Sequence, residues 1–170
     1  MFLAVPEERV GVLIGPDGKT RFLLERRTRC RIQVDSEDWR IEITGPDPMA
    51  EMRAGDVVKA VARGFSPERA LRLLQSEDQM LEVVEIPADG PNDLKRISGR
   101  IIGRDGRTRT ILEETTGVFL SIYGKTVSLI GDLSQLAMAR EALGMLFGGS
   151  PHGAVYKFLD RKARGRGPEF

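Results

Sequence analysis

Ile14-Gly-Pro-Asp-Gly-Lys-Thr-Arg-Phe-Leu-Leu-Glu25 lies over Ile102-Gly-Arg-Asp-Gly-Arg-Thr-Arg-Thr-Ile-Leu-Glu113 when the chain is shifted against itself by 88 residues, and 8 of the 12 positions are identical. The match continues outward in the same order. Cys30, Ile32 and Val34 fall on Val118, Leu120 and Ile122. Trp39–Gly45 falls on Lys125–Gly131, and Gly64-Phe-Ser-Pro67 falls on Gly148-Gly-Ser-Pro151. Chance can produce one such block but not the ordered set. The chain therefore holds two copies of one unit, each of about 80–90 residues. The copies are expected over 1–76 and 77–170, with a linker near Gln75–Gln79.

Working outward from the repeated block, each copy opens on a short strand, Phe2–Val5 or Met80–Ile86. Pro6 and Pro91 follow, suited to the first turn of a helix. Leu94, Ile97 and Ile101 then recur at helical spacing, and Val10 and Leu13 do so less completely. Gly-x-x-Gly breaks this helix, and a second one is predicted over Lys19–Arg27 or Arg107–Thr116. Two alternating strands come next, Ile32/Val34 then Ile41/Ile43, matched by Val118/Leu120/Ile122 then Val127/Leu129. Trp39 is placed at the start of a strand, as a packing residue. Long helices close the copies, Met49–Arg63 and Leu133–Phe147, and each gains a last helix with Ser66 or Ser150 as N-cap and proline in its first turn.

Composition narrows the classes of function. The chain is 41% hydrophobic and 30% charged, as expected of a folded protein rather than a disordered or membrane-spanning one. Net charge is only +1, so any polyanion partner must be argued from local patches. A single cysteine, Cys30, and a single histidine, His152, exclude a disulfide framework and a multi-histidine metal centre. Cys30 is expected to pack as a small apolar residue and His152 to be a satisfied surface or cap residue. No cofactor is expected. The N-terminal apolar run lacks a basic leader, so a cytoplasmic protein without membrane contact is expected. Twenty arginines against six lysines, with Asn92 the lone asparagine, suggest a hot-growing source.

Gly15-Pro-Asp-Gly-Lys-Thr20 superficially resembles the end of an ATPase phosphate loop, but Leu13 stands where that loop needs its first glycine, and Ile101 does so in the second copy. The helix–Gly-x-x-Gly–helix order suits a different chemistry. Two glycines remove side chains that would hold a polymer backbone away, and the loop hands over to a helix N-terminus whose N–H groups favour an anion. The phosphates of single-stranded RNA fit there, with bases along an apolar groove floored by Ile14, Ile32 and Val34, or by Ile102, Leu120 and Ile122. The candidate RNA-binding residues are Ile102, Gly103, Arg104, Asp105, Gly106, Arg107 and Arg109 with Arg100, and Ile14, Gly15, Pro16, Asp17, Gly18, Lys19 and Arg21. Lys95 and Arg96 stand one to two turns upstream of the second loop. No catalytic or metal-ligating set accompanies them.

Asp17 and Asp105 are expected to cap the following helices, in competition with phosphate. Pro16 offers no N–H, and the first copy's neighbouring turn carries Asp35, Glu37 and Asp38. The second copy is therefore expected to be the stronger RNA site. Phe119 and Tyr123 either pack or stack on a base. The tail Arg161-Lys-Ala-Arg-Gly-Arg166 reads equally as a frayed helix end or as an arm touching phosphates.

This layout resembles the KH domain, whose Gly-x-x-Gly loop clamps about four nucleotides. The element order resembles type I. The resemblance implies an α+β chain of two such domains, β-α-α-β-β-α, each with a three-stranded antiparallel sheet backed by helices. A KH-fold scaffold that binds protein without touching RNA is the alternative. The segment Gly148-Gly-Ser-Pro-His-Gly-Ala-Val-Tyr-Lys-Phe-Leu-Asp-Arg-Lys162, with tandem KH units, resembles the archaeal branch of the Dim-two (partner-of-Nob-one) small-subunit assembly factors; the eukaryotic Krr factor is also similar. That resemblance implies binding of small-subunit rRNA near its 3′ end within the pre-small ribosomal subunit, and help to a PIN-domain endonuclease that trims it. Eukaryotic relatives have lost the first Gly-x-x-Gly, whereas this chain keeps it at Gly15–Gly18.

Overall fold

A computed structural model describes residues 1–165 of the chain; Arg166, the end of the basic tail, lies outside the described residues. The chain divides into two compact units, Met1–Leu81 and Glu82–Phe170.

The first unit runs β1 (Phe2–Ala4), α1 (Glu7–Ile14), a 3-10 turn at Pro16–Gly18, α2 (Lys19–Thr28), β2 (Arg31–Val34), β3 (Arg40–Thr44) and α3 (Pro48–Ala62). Its sheet is antiparallel in the order β1-β3-β2, with Leu3 opposite Ile41 and Ile32 opposite Ile43. The second unit repeats the series as β4 (Met80–Glu85), α5 (Pro91–Ile102), a 3-10 turn at Arg104–Gly106, α6 (Arg107–Thr116), β5 (Phe119–Tyr123), β6 (Thr126–Gly131) and α7 (Leu133–Phe147). Its sheet has the order β4-β6-β5, with Leu120 opposite Leu129. Each unit is the type I KH fold.

The alternation read in the sequence is what the sheets bury. Ile32, Ile41 and Ile43 form the inner face of the first sheet, beneath Val10, Leu13 and Leu24 from the helices. Leu120, Val127 and Leu129 do the same beneath Ile97, Ile101 and Leu112. Cys30 is buried among them as expected. Its thiol lies 3.5 Å from the Thr28 carbonyl, and burial pushes its pKa above the ordinary thiol value. The closing helices start at side-chain caps. Asp47 accepts from the Ala50 N–H at 2.8 Å, and Asp132 and Gln135 form a reciprocal capping box.

The copies part company after the closing helix. Ser66 caps the first added helix as expected, but α4 (Pro67–Ala70) lasts one turn before tightening into a 3-10 segment at Leu71–Leu74. In the second unit α8 (His152–Gly165) is long and packs Val155 and Leu159 against α6 and α7. Its cap differs from expectation. Pro151 precedes the helix and its carbonyl accepts from the Ala154 and Val155 N–H groups, while Ser150 stands a residue further out. Trp39 also departs from its expected place. It sits before β3 with φ 57°, in the turn, and its carbonyl accepts from the Val5 N–H at 3.2 Å.

One copy shows how the other can be improved. α6 ends on Gly117 at φ 82°, while α2 ends on Arg29 at φ 59°. A side chain in this left-handed region costs about 1–2 kcal/mol, partly offset by glycine's greater freedom in the unfolded chain. Arg29→Gly should therefore stabilise the protein by about 0.5–1 kcal/mol and raise the thermal midpoint by roughly 2–4 °C. A lowered midpoint in a thermal melt would contradict this account of the helix end.

Candidate nucleic-acid interface

Most of the repeated block turns out to be structural machinery that shapes one corner. Leu24 and Leu112 are fully buried. Glu25 and Glu113 each reach from the helix to the next strand, accepting from the Ile32 N–H at 3.0 Å and the Leu120 N–H at 3.1 Å. Arg21 and Arg109 lie one turn before these glutamates, at 3.9 and 3.6 Å. Thr20 and Thr108 sit under the first glycine of each loop. A Cβ on Gly15 or Gly103 would fall 2.6 Å from the threonine Cβ, and both glycines have φ above 70° with ψ near 175°. Only glycine adopts that combination without severe strain. Thr20, Thr108, Glu25 and Glu113 lie outside the candidate set read from the sequence, and their recurrence in both copies is the signal that marks them.

The second glycines are different. Gly18 and Gly106 have φ 72° and 74°, and a Cβ on either would meet no atom within 4 Å. They hold the N-cap positions of α2 and α6, and no side chain caps either helix. Here the structure corrects the reading of Asp17 and Asp105. Both adopt the left-handed conformation, at φ 53° and 56°, inside the 3-10 turn, and both point to solvent rather than capping the helix. Aspartate is among the few residues that tolerate this conformation. The first N–H of each helix, on Lys19 or Arg107, donates to the Pro16 or Arg104 carbonyl of the turn, and no carboxylate caps the N–H groups and positive dipole end beyond it.

Around the second corner Arg104 and Arg107 are exposed, as is Lys19 beside the first. Arg100 is not turned to the loop. Its guanidinium donates to the Leu146 carbonyl at 3.3 Å and to the Ser150 carbonyl, binding α5 to the end of α7. Arg9 does the same in the first unit, reaching the Val61 carbonyl at 2.9 Å and the Phe65 carbonyl at 2.8 Å. Arg96 is held by Asp93 at 2.7 Å, while Lys95 stays exposed. The groove floor is also narrower than expected. Ile32 and Leu120 are 1% exposed and belong to the core, leaving Ile14 and Val34, or Ile102 and Ile122, to present apolar surface. Phe119 and Tyr123 are half-buried on β5.

The second corner is braced from behind by α8. The Tyr156 hydroxyl hydrogen-bonds the Thr108 hydroxyl at 2.8 Å, beneath Gly103, and the Arg107 guanidinium lies 5.8 Å from the Tyr156 ring centre. His152 Nε2 lies 2.9 Å from the Arg100 carbonyl at the end of α5. The histidine is a satisfied structural group, as expected. The first unit has no helix equivalent to α8 among the described residues. Tyr156→Phe should therefore lower stability by about 1 kcal/mol. It should also speed amide exchange at Gly106 and Arg107 without changing Gly18 and Lys19. Unchanged exchange at Gly106 would show that α8 merely packs nearby.

Comparison with known proteins fits this geometry. The family description "Eukaryotic type KH-domain (KH-domain type I)" matches residues 80–164, and the KH domain matches residues 1–60. A KH domain-containing protein of Methanocaldococcus jannaschii, MJ0443, is 39% identical over 94% of this chain and 72% of its own. The pre-rRNA-processing protein PNO1 of Saccharomyces cerevisiae is 32% identical over 78% of this chain; the chain spans about half the length of such PNO1 proteins. Dim2p from Pyrococcus horikoshii superposes with a TM-score of 0.87 at 45% identity, over 95% of this chain and 98% of that one. The same organism's aDim2p, solved in a complex with a/eIF2alpha and rRNA, superposes with a TM-score of 0.89 at 44% identity, over 97% of this chain and 94% of that one. No helix among the described residues is long and apolar enough to cross a membrane. Matched along almost its whole length in sequence and in structure, the chain belongs to the Dim2p/PNO1 family of tandem KH-domain proteins.

Proposed function

We propose that this protein is a non-catalytic, single-stranded-RNA-binding factor of ribosome assembly that holds small-subunit rRNA near its 3′ end in the cytoplasm. The observation that carries the reading is the second corner. An uncapped helix N-terminus stands behind a glycine with nothing over its Cβ position, between exposed Arg104 and Arg107. One phosphate occupies the N–H groups of α6, its neighbours meet the two guanidiniums, and bases lie against Ile102 and Ile122. Arginine suits this work because its planar fork meets phosphate oxygens in pairs. The rRNA in the aDim2p complex and the rRNA-processing role named for PNO1 supply the class of RNA. The pre-small ribosomal subunit is the setting, and a PIN-domain endonuclease that trims the rRNA end is the partner the bound RNA would be presented to.

The second copy is the stronger site in this reading. Its loop carries Arg104 where the first has Pro16, which has no N–H, and α8 holds its corner from behind. A scaffold that binds protein alone is the second reading, favoured only by the presence of a/eIF2alpha beside aDim2p in the Pyrococcus complex.

Arg104→Ala should weaken binding of a short single-stranded RNA by about fivefold. It should also lower the magnitude of the log–log salt slope by about 0.7, one phosphate's worth. Lys19→Ala should have a smaller effect on both. Filter binding across a salt series checks this; unchanged affinity in Arg104→Ala with a large loss in Lys19→Ala would reverse the assignment.

A further inference from the structure

Thirteen residues of the first unit, 19–31, carry Lys19, Arg21, Arg26, Arg27, Arg29 and Arg31 against a single acid, Glu25. The aligned thirteen of the second unit, 107–119, carry Arg107 and Arg109 against Glu113 and Glu114. The two copies build the same helix on the same core, so the fold does not require these charges. With a whole-chain charge of only +1, the excess on α2 is a strong local departure.

Its arrangement is specific. Glu25 is taken up by the Ile32 N–H and by Arg21, so it does not neutralise the outer face. Arg26 and Arg27 are exposed and make no ion pair among the described residues. Between the loop and these arginines stands Phe22, 60% exposed, with the Arg26 guanidinium 5.9 Å from its ring centre. Lys19, Phe22 and Arg26 stand at i, i+3 and i+7, so they share one stripe of the helix. The second unit has Thr110 at the Phe22 position and Glu114 at the Arg26 position. Leaving a ring in water is costly for an isolated helix face, and no core packing explains this one.

We propose that the outer face of α2 is a second RNA-contact surface, on which Arg26 and Arg27 meet phosphates and Phe22 stacks an unpaired base. It takes a single-stranded segment of the RNA whose other part is held at the Gly-x-x-Gly corners, and so rests on the RNA-binding reading above. The occupant follows from the surroundings of the ring. Six cations against one acid over 19–31 complement the phosphates of a nucleic acid, and Lys19, of a residue type depleted at protein interfaces, stands one turn from the ring. Aromatic rings flanked by cations are how single-stranded nucleic acid is held without regard to sequence, the ring taking a base and the cations the phosphates. α2 is about 15 Å long, room enough for more than one nucleotide beyond the loop. The first unit then contributes to affinity mainly through this helix, although its loop is the weaker of the two.

The test compares two single-stranded RNAs of small-subunit rRNA 3′-terminal sequence, one of about four nucleotides, which fills a single KH groove, and one about four times longer. The full chain is titrated as wild type, as Phe22→Ala, as the double variant Arg26→Gln with Arg27→Gln, and as Arg104→Ala. For the long RNA, the double variant is expected to lose about tenfold in affinity and about 1.4 in the magnitude of the salt slope, two phosphates' worth. Phe22→Ala is expected to lose about tenfold, and both are expected to bind the short RNA as wild type does. Arg104→Ala should weaken both RNAs. If the α2 variants bind the long RNA as wild type does while Arg104→Ala does not, the proposal is overturned and the RNA-binding reading stands. If the wild type binds neither RNA, both fall. If the α2 variants lose only an acidic protein partner, the face belongs to that partner and the proposal is again overturned.

Discussion

At Gly15 and Gly103 the chain leaves a helix at φ 72° and 77° with ψ near 180°, directly over a threonine side chain. A side chain at either position would be strained by its own backbone and would collide with Thr20 or Thr108. The tight corner this permits sets the direction of the next helix, and that helix in turn delivers Leu24 or Leu112 to the core and Glu25 or Glu113 to the N–H of the neighbouring strand. The sheet edge, the helix pair and the exposed N-terminus of the second helix are all consequences of one backbone geometry. The corner is built twice because the whole unit is duplicated.

The duplication also separates what the fold needs from what each copy does. Residues identical at both corners are mostly accounted for by packing and hydrogen bonding within the unit. The residues that differ set the two copies apart. Pro16 stands against Arg104, and the short α4 against the long α8. The α8 helix ties Tyr156 to Thr108 and His152 to the end of α5, so the second corner is held on both sides. The first unit has instead a cationic helix with an exposed ring at Phe22. A chain with almost no net charge thereby carries a strong local excess of positive charge over 19–31, while the turn that follows β2 holds Asp35, Glu37 and Asp38.

Much of this is legible in the sequence. The internal repeat located both units, and the periods of Ile41/Ile43 and Val127/Leu129 placed the strands that fill each core. The departures have physical reasons. Aspartate before a helix usually caps it, but at Asp17 and Asp105 the chain makes a 3-10 turn and the second glycine takes the cap position. Arg100 is near the second loop in sequence, but the carbonyls that hold it come from the end of α7 and the turn beyond, about 50 residues away. The alternation puts Ile32 and Leu120 on the same strand face as Val34 and Ile122, but two residues earlier, where they are covered to 1% exposure and belong to the core. A strand is expected to start at Trp39, whereas its left-handed backbone, at φ 57°, leaves it just before β3. Distant partners and single-residue turn geometry leave no period in the sequence.

The central claim is that these two glycine-flanked corners, each opening a helix, hold the phosphate backbone of an unpaired RNA. It is tested most directly by following backbone amide resonances while a short oligoribonucleotide is added at low ionic strength. The account predicts saturable shifts at Gly106, Arg107 and Thr108, and weaker ones at Gly18, Lys19 and Thr20, that fade as salt is raised. If every one of these amides stays where it is while the RNA is in excess, the corners are structural turns and the account is wrong.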